Sequence, residues 1–572
     1  MSGSVPIAAS IPVPDVLKLL DGEYKFLAEG VAKGKYAFWL GSGISRGRAA
    51  GLTEVVEQVV EFLRVRIDGT RPDCPYGRAF DEAIALADLP ADEAATVDRA
   101  TAVSRWSCRG TLVRRLVNLY ADLLDIRIGT EVADYLLWTA VDVRTTFRRN
   151  LPPDCEHICV AILALEGAVP AIACANWDGL LESSFAELSA MPEQALVVCI
   201  RAEDLRLPGR LTRLLKFHGC AVLAGENEGE YRRYLIARKG QMMDWRNNDD
   251  YKLMRRKLVD LATERPTLMV GLSAQDSNIQ EVFLDARAVL DWRWNRDQPA
   301  HVFAEDQLAK SHRDILKVIY QDEYSAELEE RTRIRAYGKP LLTALVLFVV
   351  AEKMRAFLAT LEVPGFDAPE REKLAEGLVQ LRNRIAQVVG ADHLSFIQNF
   401  AEAHSRGVAL FRTGQSIGLS DDGLRPLSAV PVDRVVSEPS LQTGGVPALA
   451  AALALLGSGE HNGHWNLMLS PGAAGSRGAV TASTASGASA IYFVANGQAA
   501  ARLFSTGTVQ ADAHDAVIVH STQPTPAMSR SPRTTFGRTS AGGPRHVAMA
   551  SLLENCRDAE DLMDEFRHAG AL

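Results

Sequence analysis

The stretch Tyr36-Ala37-Phe38-Trp39-Leu40-Gly41-Ser42-Gly43-Ile44-Ser45 decides the fold. Five bulky apolar residues run without alternation, as in a parallel strand buried on both faces. Two glycines follow, where a chain can turn sharply. Leu52, Val55, Val56, Val59, Val60 and Leu63 then recur at the spacing of one helix face. Strand, glycine turn and helix make the opening unit of a dinucleotide-binding α/β fold. In such a unit the turn can bring backbone N–H groups, and here the hydroxyls of Ser42 and Ser45, to a phosphate. A plain strand-to-helix turn needs small residues just as much, so this unit alone does not identify a ligand.

The same reading extends along the chain. Residues 169–174, 195–200, 214–217, 234–237, 267–270 and 300–304 are strand candidates. Helical stretches at 251–263 and 279–290 separate some of them. Strands alternating with helices predict a Rossmann-like parallel sheet covered by helices. That domain is expected over residues 34–312, after an N-terminal helical lead-in over 1–33. A helical insertion at about 70–168 interrupts it, with Tyr120, Leu123, Leu124, Tyr135, Leu136 and Leu137 as core positions. Residues 313–418 read as a helical block without a strand. Residues 419–446, rich in proline, serine and glycine, read as a linker. Residues 447–572 are expected to be a small mixed α/β region. Its strands fall at 490–495, 500–504, 516–520 and 546–549, and its closing helix at 558–568. Residues 471–489 and 521–545 look like loops. The second carries Arg530, Arg533, Arg538 and Arg545, which read as a solvated loop ahead of an anion-binding arm. No internal repeat is visible.

A chain of 572 residues exceeds one ordinary core. With 47% hydrophobic and 23% charged residues it has the balance of a soluble globular protein. A net charge of −9 argues against a surface built to coat nucleic acid, although it leaves room for a local basic patch. The eight cysteines are sparse and form no C-x-x-C pair, as expected of free thiols in a reducing cytoplasm. Cys155, His157 and Cys159 lie close together. They precede an apolar helical stretch and no second cysteine pair follows, so no metal site is expected. The apolar runs 341–351 and 446–456 fall short of the ~20 residues a membrane span needs and read as buried helices. No secretory signal is recognisable at the start.

Three further segments follow apolar runs. Asn176-Trp177-Asp178 stands where a parallel sheet presents ligand-binding groups, beyond a strand's carboxyl end. Asn and Asp also cap helices well, and the two roles are compatible. Phe217-His218-Gly219 places a histidine at an equivalent strand end. Its ordinary pKa of about 6.5 suits a general base, although lone histidines are commonly structural. Gly271-Leu272-Ser273 ends the strand candidate at 267–270. Ser273 could bond a phosphate or ribose, Gly271 permits close approach, and Asp276 could contact a ribose hydroxyl or cap the following helix. Glu305, after the last strand candidate, is a weaker ribose-contact candidate.

Taken in order, the four segments resemble the sirtuin family, over about residues 34–305. Gly41-Ser42-Gly43-Ile44-Ser45 is similar to its Gly-Ala-Gly-x-Ser phosphate loop, with Ser42 in place of alanine. Asn176-Trp177-Asp178 is similar to Gln-Asn-Ile-Asp, and Phe217-His218-Gly219 to Leu-His-Gly. Gly271 to Asp276 looks like the Gly-x-Ser-x-x-Asp segment of a bacterial branch that consumes NAD. Two features of the deacylating members are missing. The Pro-Asp-Phe-Arg segment is replaced by Arg46-Gly47-Arg48-Ala49. The paired cysteines of the zinc module have no counterpart, since only Cys199 lies between Cys174 and Cys220. The resemblance therefore implies an NAD+ glycohydrolase that needs no metal. Asn176 and His218 would be catalytic, with Asp178 in support. Gly41, Ser42, Gly43, Ser45, Gly271, Ser273, Asp276 and Glu305 would hold NAD+. It further implies a regulated effector of bacterial anti-phage defence, assembled as a homo-oligomer or activated by a HerA-type ATPase or a short Argonaute. The alternatives are a zinc-less deacylase or ADP-ribosyltransferase, a non-catalytic sensor of NAD or ADP-ribose, and a C-terminal nuclease effector.

Overall fold

A computed structural model describes residues 7–147, 151–206, 212–290, 299–363, 366–468, 480–522 and 543–572. Its centre is a seven-stranded sheet in the order β3-β4-β2-β1-β5-β6-β7. The strands are β1 (Ala37–Leu40), β2 (Ala171–Cys174), β3 (Leu196–Cys199), β4 (Thr212–Lys216), β5 (Thr267–Val270), β6 (His301–Ala304) and β7 (Arg333–Ile334). Every pairing is parallel. The chain winds from β1 towards β2 and β4 on one side, then crosses β1 to add β5, β6 and β7 on the other. This reversal puts a crevice at the carboxyl ends of the central strands, where open α/β sheets bind ligands.

The uninterrupted apolar runs are explained by burial on both faces. Successive residues serve opposite cores. Trp39, Ala173, Leu215, Met269 and Phe303 pack with the helix Leu52–Val65 and the helical insertion. Phe38, Leu40, Ile172, Leu268 and Val302 pack on the other side with the helices Val13–Asp21, Lys25–Ala32, Cys155–Leu165 and Gly338–Ala359. The described lead-in is thus three helices, Ile7–Ser10, Val13–Asp21 and Lys25–Ala32, the last two parted around Gly22. The helix Gly338–Ala359 has no polar face in its first half, because the sheet and its neighbours enclose it. No helix among the described residues is long and apolar enough to cross a membrane.

Several expectations need correction. The block expected to lack strands contributes β7, whose Arg333–Ile334 pairs with β6. It also contributes the helix Gly338–Ala359, so the sheet's core draws on residues beyond 312. Residues 234–237 are not a strand, since β4 already has β3 and β2 on its two edges. They form a short turn and an extended piece held by Ile236 N–H donating to His218 C=O at 3.1 Å. The expected linker is packed: Leu424, Leu427 and Val435 are buried, and Leu424 N–H bonds Leu188 C=O at 2.6 Å. Residues 500–504 lie in a helix, Gly497–Ser505, which Asn496 starts by accepting from Gln498 and Ala499 N–H. The three consecutive alanines favour that helix.

The C-terminal region forms a five-stranded sheet in the order β12-β11-β10-β9-β8. Its strands are β8 (Asn466–Met468), β9 (Val480–Thr484), β10 (Gly487–Val494), β11 (Ala516–His520) and β12 (Arg545–Ala548). The hairpin β9–β10 occupies part of the expected loop 471–489, and Arg545 begins a strand. Arg530, Arg533 and Arg538 lie outside the described residues. The closing helix is Ala559–Gly570, capped by Asp558.

Candidate functional site at the sheet crossover

Register alone aligns the candidate residues. Lys216, Cys174, Leu40, Val270 and Ala304 lie side by side across five strands. Beyond that row, in the same order, come His218, Asn176, the Gly41–Ser45 turn, the Gly271–Ser273 turn and Glu305. All leave the same edge of the sheet.

The glycines have a reason the sequence did not reveal. A Cβ on Gly41 would lie 2.5 Å from Gly271 O and from Leu272 Cα, and one on Gly43 would lie 2.5 Å from Gly271 Cα. Gly271 itself has φ +63°, a left-handed conformation. The turns after β1 and β5 therefore pack backbone on backbone. Gly41 N–H donates to Val270 C=O at 3.2 Å and Gly43 N–H to Gly271 C=O at 2.9 Å. These two amides join the turns to each other and do not point outward as a phosphate cradle. Ser42 is exposed, whereas Ser45 is buried.

Ser45 and Asn176 meet directly. Asn176 Nδ2 donates to Ser45 Oγ at 3.0 Å. His157 Nε2 approaches the same oxygen at 3.1 Å. His157 Nδ1 accepts from Asp154 N–H, which places the ring proton on Nε2 and makes it the donor to Ser45. Burial pulls the His157 pKa down to about 4, so the ring is neutral near pH 7. Ser45 Oγ thus receives two hydrogen bonds and keeps its own proton for a third partner. Asn176 is buried, and its Oδ1 has no partner among the described residues. Such a group costs stability unless something else engages it.

His218 forms a second chain. Its Nε2 contacts Asn278 Nδ2 at 2.9 Å, and its Nδ1 stands 4.0 Å from Asp276 Oδ2. Tyr120 O–H donates to the other Asp276 oxygen at 3.1 Å. With the amide nitrogen of Asn278 on Nε2, the ring proton sits on Nδ1, facing the carboxylate. Burial holds the pKa of His218 below the ordinary histidine range, against the opposing pulls of Asp276 and Asn278. Gly219 is required beside it: φ is +82°, and a Cβ would stand 2.4 Å from Tyr234 O. A carboxylate near one ring nitrogen is the arrangement that orients a general base, with the other nitrogen here occupied by Asn278.

The remaining candidates lie at the rim. Asp178 accepts from Leu180 N–H at 3.1 Å and so caps the next helix. The backbone carbonyl of Asp178 is bonded by the buried Lys216, which also bonds Glu182 at 2.9 Å. Ser273 is exposed, and its carbonyl accepts from Ser311. His312 holds Leu272 C=O at 2.7 Å, so one helix fixes the whole turn after β5. Burial raises the Glu305 carboxyl to about 7, partly offset by Arg46 and reinforced by Asp306. Burial likewise raises Glu156 to about 7. Each of these acids can exchange a proton near neutrality.

His157 is the main residue the sequence reading passed over. In the sequence it stands out only as a neighbour of Cys155 and Cys159, where no metal site is expected. In the structure those two thiols lie 3.8 Å apart next to Thr343, while the histidine turns to Ser45. No group of three or more His, Cys, Asp or Glu among the described residues is placed to hold a metal. Asn278 stands just ahead of the helical stretch expected at 279–290, and Tyr120 is among the core positions expected of the insertion. A polar residue two positions after Asp276 was the available signal for the first, and no local signal marks the second. No model of a known protein family matches the chain, and no curated protein matches it.

Proposed function

We propose that this protein is an NAD+ glycohydrolase that releases nicotinamide and ADP-ribose. One observation carries the reading. Asn176 and His218 are both buried, and each stands two residues beyond paired strands at the sheet's crossover, with Asn176 Oδ1 unpartnered among the described residues. The resemblance of the four segments to sirtuins supports it. In the reaction the bond between the ribose carbon and the pyridinium nitrogen breaks, and its electron pair neutralises the ring. Asn176 Oδ1 faces the positive charge developing on the ribose carbon. Water supplies the new C–O bond. His218 Nε2, freed from Asn278, takes the water proton and passes it to solvent, while Asp276 steadies the imidazolium. Ser45, held by His157 and Asn176, donates to a ribose or phosphate oxygen. The protein would act in the cytoplasm as a defence effector, its activity governed by self-assembly or by an ATPase or Argonaute partner.

The test is NAD+ loss with product identification by mass spectrometry, for wild type, Asn176→Ala and His218→Ala, each with and without an acyl-lysine peptide. Peptide-independent nicotinamide and ADP-ribose, lost in both variants, is the expected result. Turnover only with peptide would make it a deacylase. Nucleotide binding without turnover, in vitro and in expressing cells, would make it a sensor.

A further inference from the structure

We infer that the C-terminal half carries a second ligand site, separate from the sheet crossover, that takes a single-chain amphiphile with an anionic head. A half-enclosed cleft of about 430 Å³ lies between the helices Gly338–Ala359, Ala368–Gln387, His393–Thr413 and Val446–His461 and the sheet strands β9 and β10. Its walls are apolar, with Met354, Ile385, Phe400, Leu449 and Phe493 among them. That volume lies within the ~300–1,000 Å³ that holds small molecules. It is too small for a docked helix, since a cylinder about 10 Å across and 5.4 Å per turn fills it in roughly one turn. A flexible hydrocarbon chain fits the shape and buries the walls.

Two features go beyond an apolar hollow. Gly407 lies inside the helix His393–Thr413 and lines the cleft, and a Cβ built there meets nothing within 4 Å. Glycine is unfavourable within a helix, and a side chain added here would enter open space. Arg412, about 1.4 turns further on, also lines the cleft. Its guanidinium donates to Leu427 C=O at 2.8 Å and has no carboxylate partner among the described residues. The other arginine at the wall, Arg382, is spent on Asp21 through two bonds. An apolar cleft with a guanidinium bonded to a carbonyl and to no carboxylate among the described residues, with Glu166 and Glu438 acting on it only at a distance, suits a carboxylate at the end of an alkyl chain.

The test is calorimetric titration of the full chain with decanoate and with decanol, below their aggregation concentrations. Wild type should bind one decanoate per chain. Gly407→Met fills the cleft and should weaken both ligands about tenfold or more, with a melting temperature equal to or above wild type. Ala403→Met, one turn earlier on the same face, should act likewise if the first variant folds poorly. Arg412→Gln should weaken decanoate about tenfold and leave decanol within about twofold, the loss of one charge-assisted hydrogen bond. No saturable binding by wild type would overturn the inference. So would binding indifferent to both cleft-filling variants, or equal weakening of acid and alcohol by Arg412→Gln.

Discussion

His218 and His157 are both buried, and burial lowers the pKa of each against the opposite pull of its carboxylate neighbours. His218 has Asp276 4.0 Å from Nδ1, a charge that raises its pKa, while burial lowers it further than Asp276 restores. Its ring should therefore titrate below about 6.5 in an NMR experiment on the ring protons. Asp276→Asn should lower that midpoint again and, on the proposed chemistry, slow NAD+ cleavage about 10–100-fold by removing the charge behind the imidazolium. A midpoint at or above 6.5 would contradict the packing around the ring. His157, at about 4, has a consequence for stability. Between pH 6.5 and 4 the unfolded chain binds a proton there that the folded chain does not. Stability therefore rises with pH through this window and falls on acidification. Urea midpoints at pH 7.5 and 5.0 should differ more for wild type than for His157→Gln. An identical drop in both would show that His157 is not the source.

The turns after β1 and β5 behave as one element. Gly41, Gly43 and Gly271 occupy space that a methyl group cannot enter without moving backbone. Gly41→Ala should destabilise the protein by roughly 1–3 kcal/mol, the usual cost of overpacking, read as a lower urea midpoint with an unchanged slope. Gly271→Ala adds the cost of a left-handed φ. A neutral result for Gly41→Ala would mean that the turns separate readily. The contrast with residues 497–505 shows what local sequence conveys. The strand β1 was legible because it is buried on both faces. Ala499-Ala500-Ala501 looks equally apolar, yet Asn496 caps it and alanine favours a helix. Residues 234–237 were apolar enough for a strand but found no open sheet edge beside β4.

A buried charge cluster adds to the shared apolar core that joins the two halves of the molecule. Glu166, at the end of the helix Cys155–Leu165, bonds Lys353 at 2.5 Å, His404 at 3.0 Å and Leu427 N–H at 2.9 Å. Burial alone would raise the Glu166 carboxyl, but Lys353 and His404 outweigh it and hold the pKa at about 2. Removing Lys353 leaves the buried Glu166 carboxylate with only His404 and Leu427 N–H of these partners. Lys353→Met should therefore cost about 3–5 kcal/mol, and Lys353→Met with Glu166→Leu much less than the sum of the two single changes. Additive losses in denaturation would show the pair to be uncoupled. The same helix begins at Asp154 and His157, beside Ser45, so its two ends touch the candidate site and the C-terminal block.

Sequence by itself determined the parallel sheet, its two-faced burial and the strand ends that carry Asn176, His218 and Gly271. These follow from hydrophobic period and turn residues, which act over a few neighbours. Tertiary structure alone decided the order of the strands and the use of Gly338–Ala359 to close the sheet's second face. It also decided the partners of the buried polar groups. Ser45 meets His157 across 112 positions and Asp276 meets Tyr120 across 156. Such pairs arise because buried donors and acceptors must be satisfied wherever the fold brings them together, and no local pattern encodes where that is.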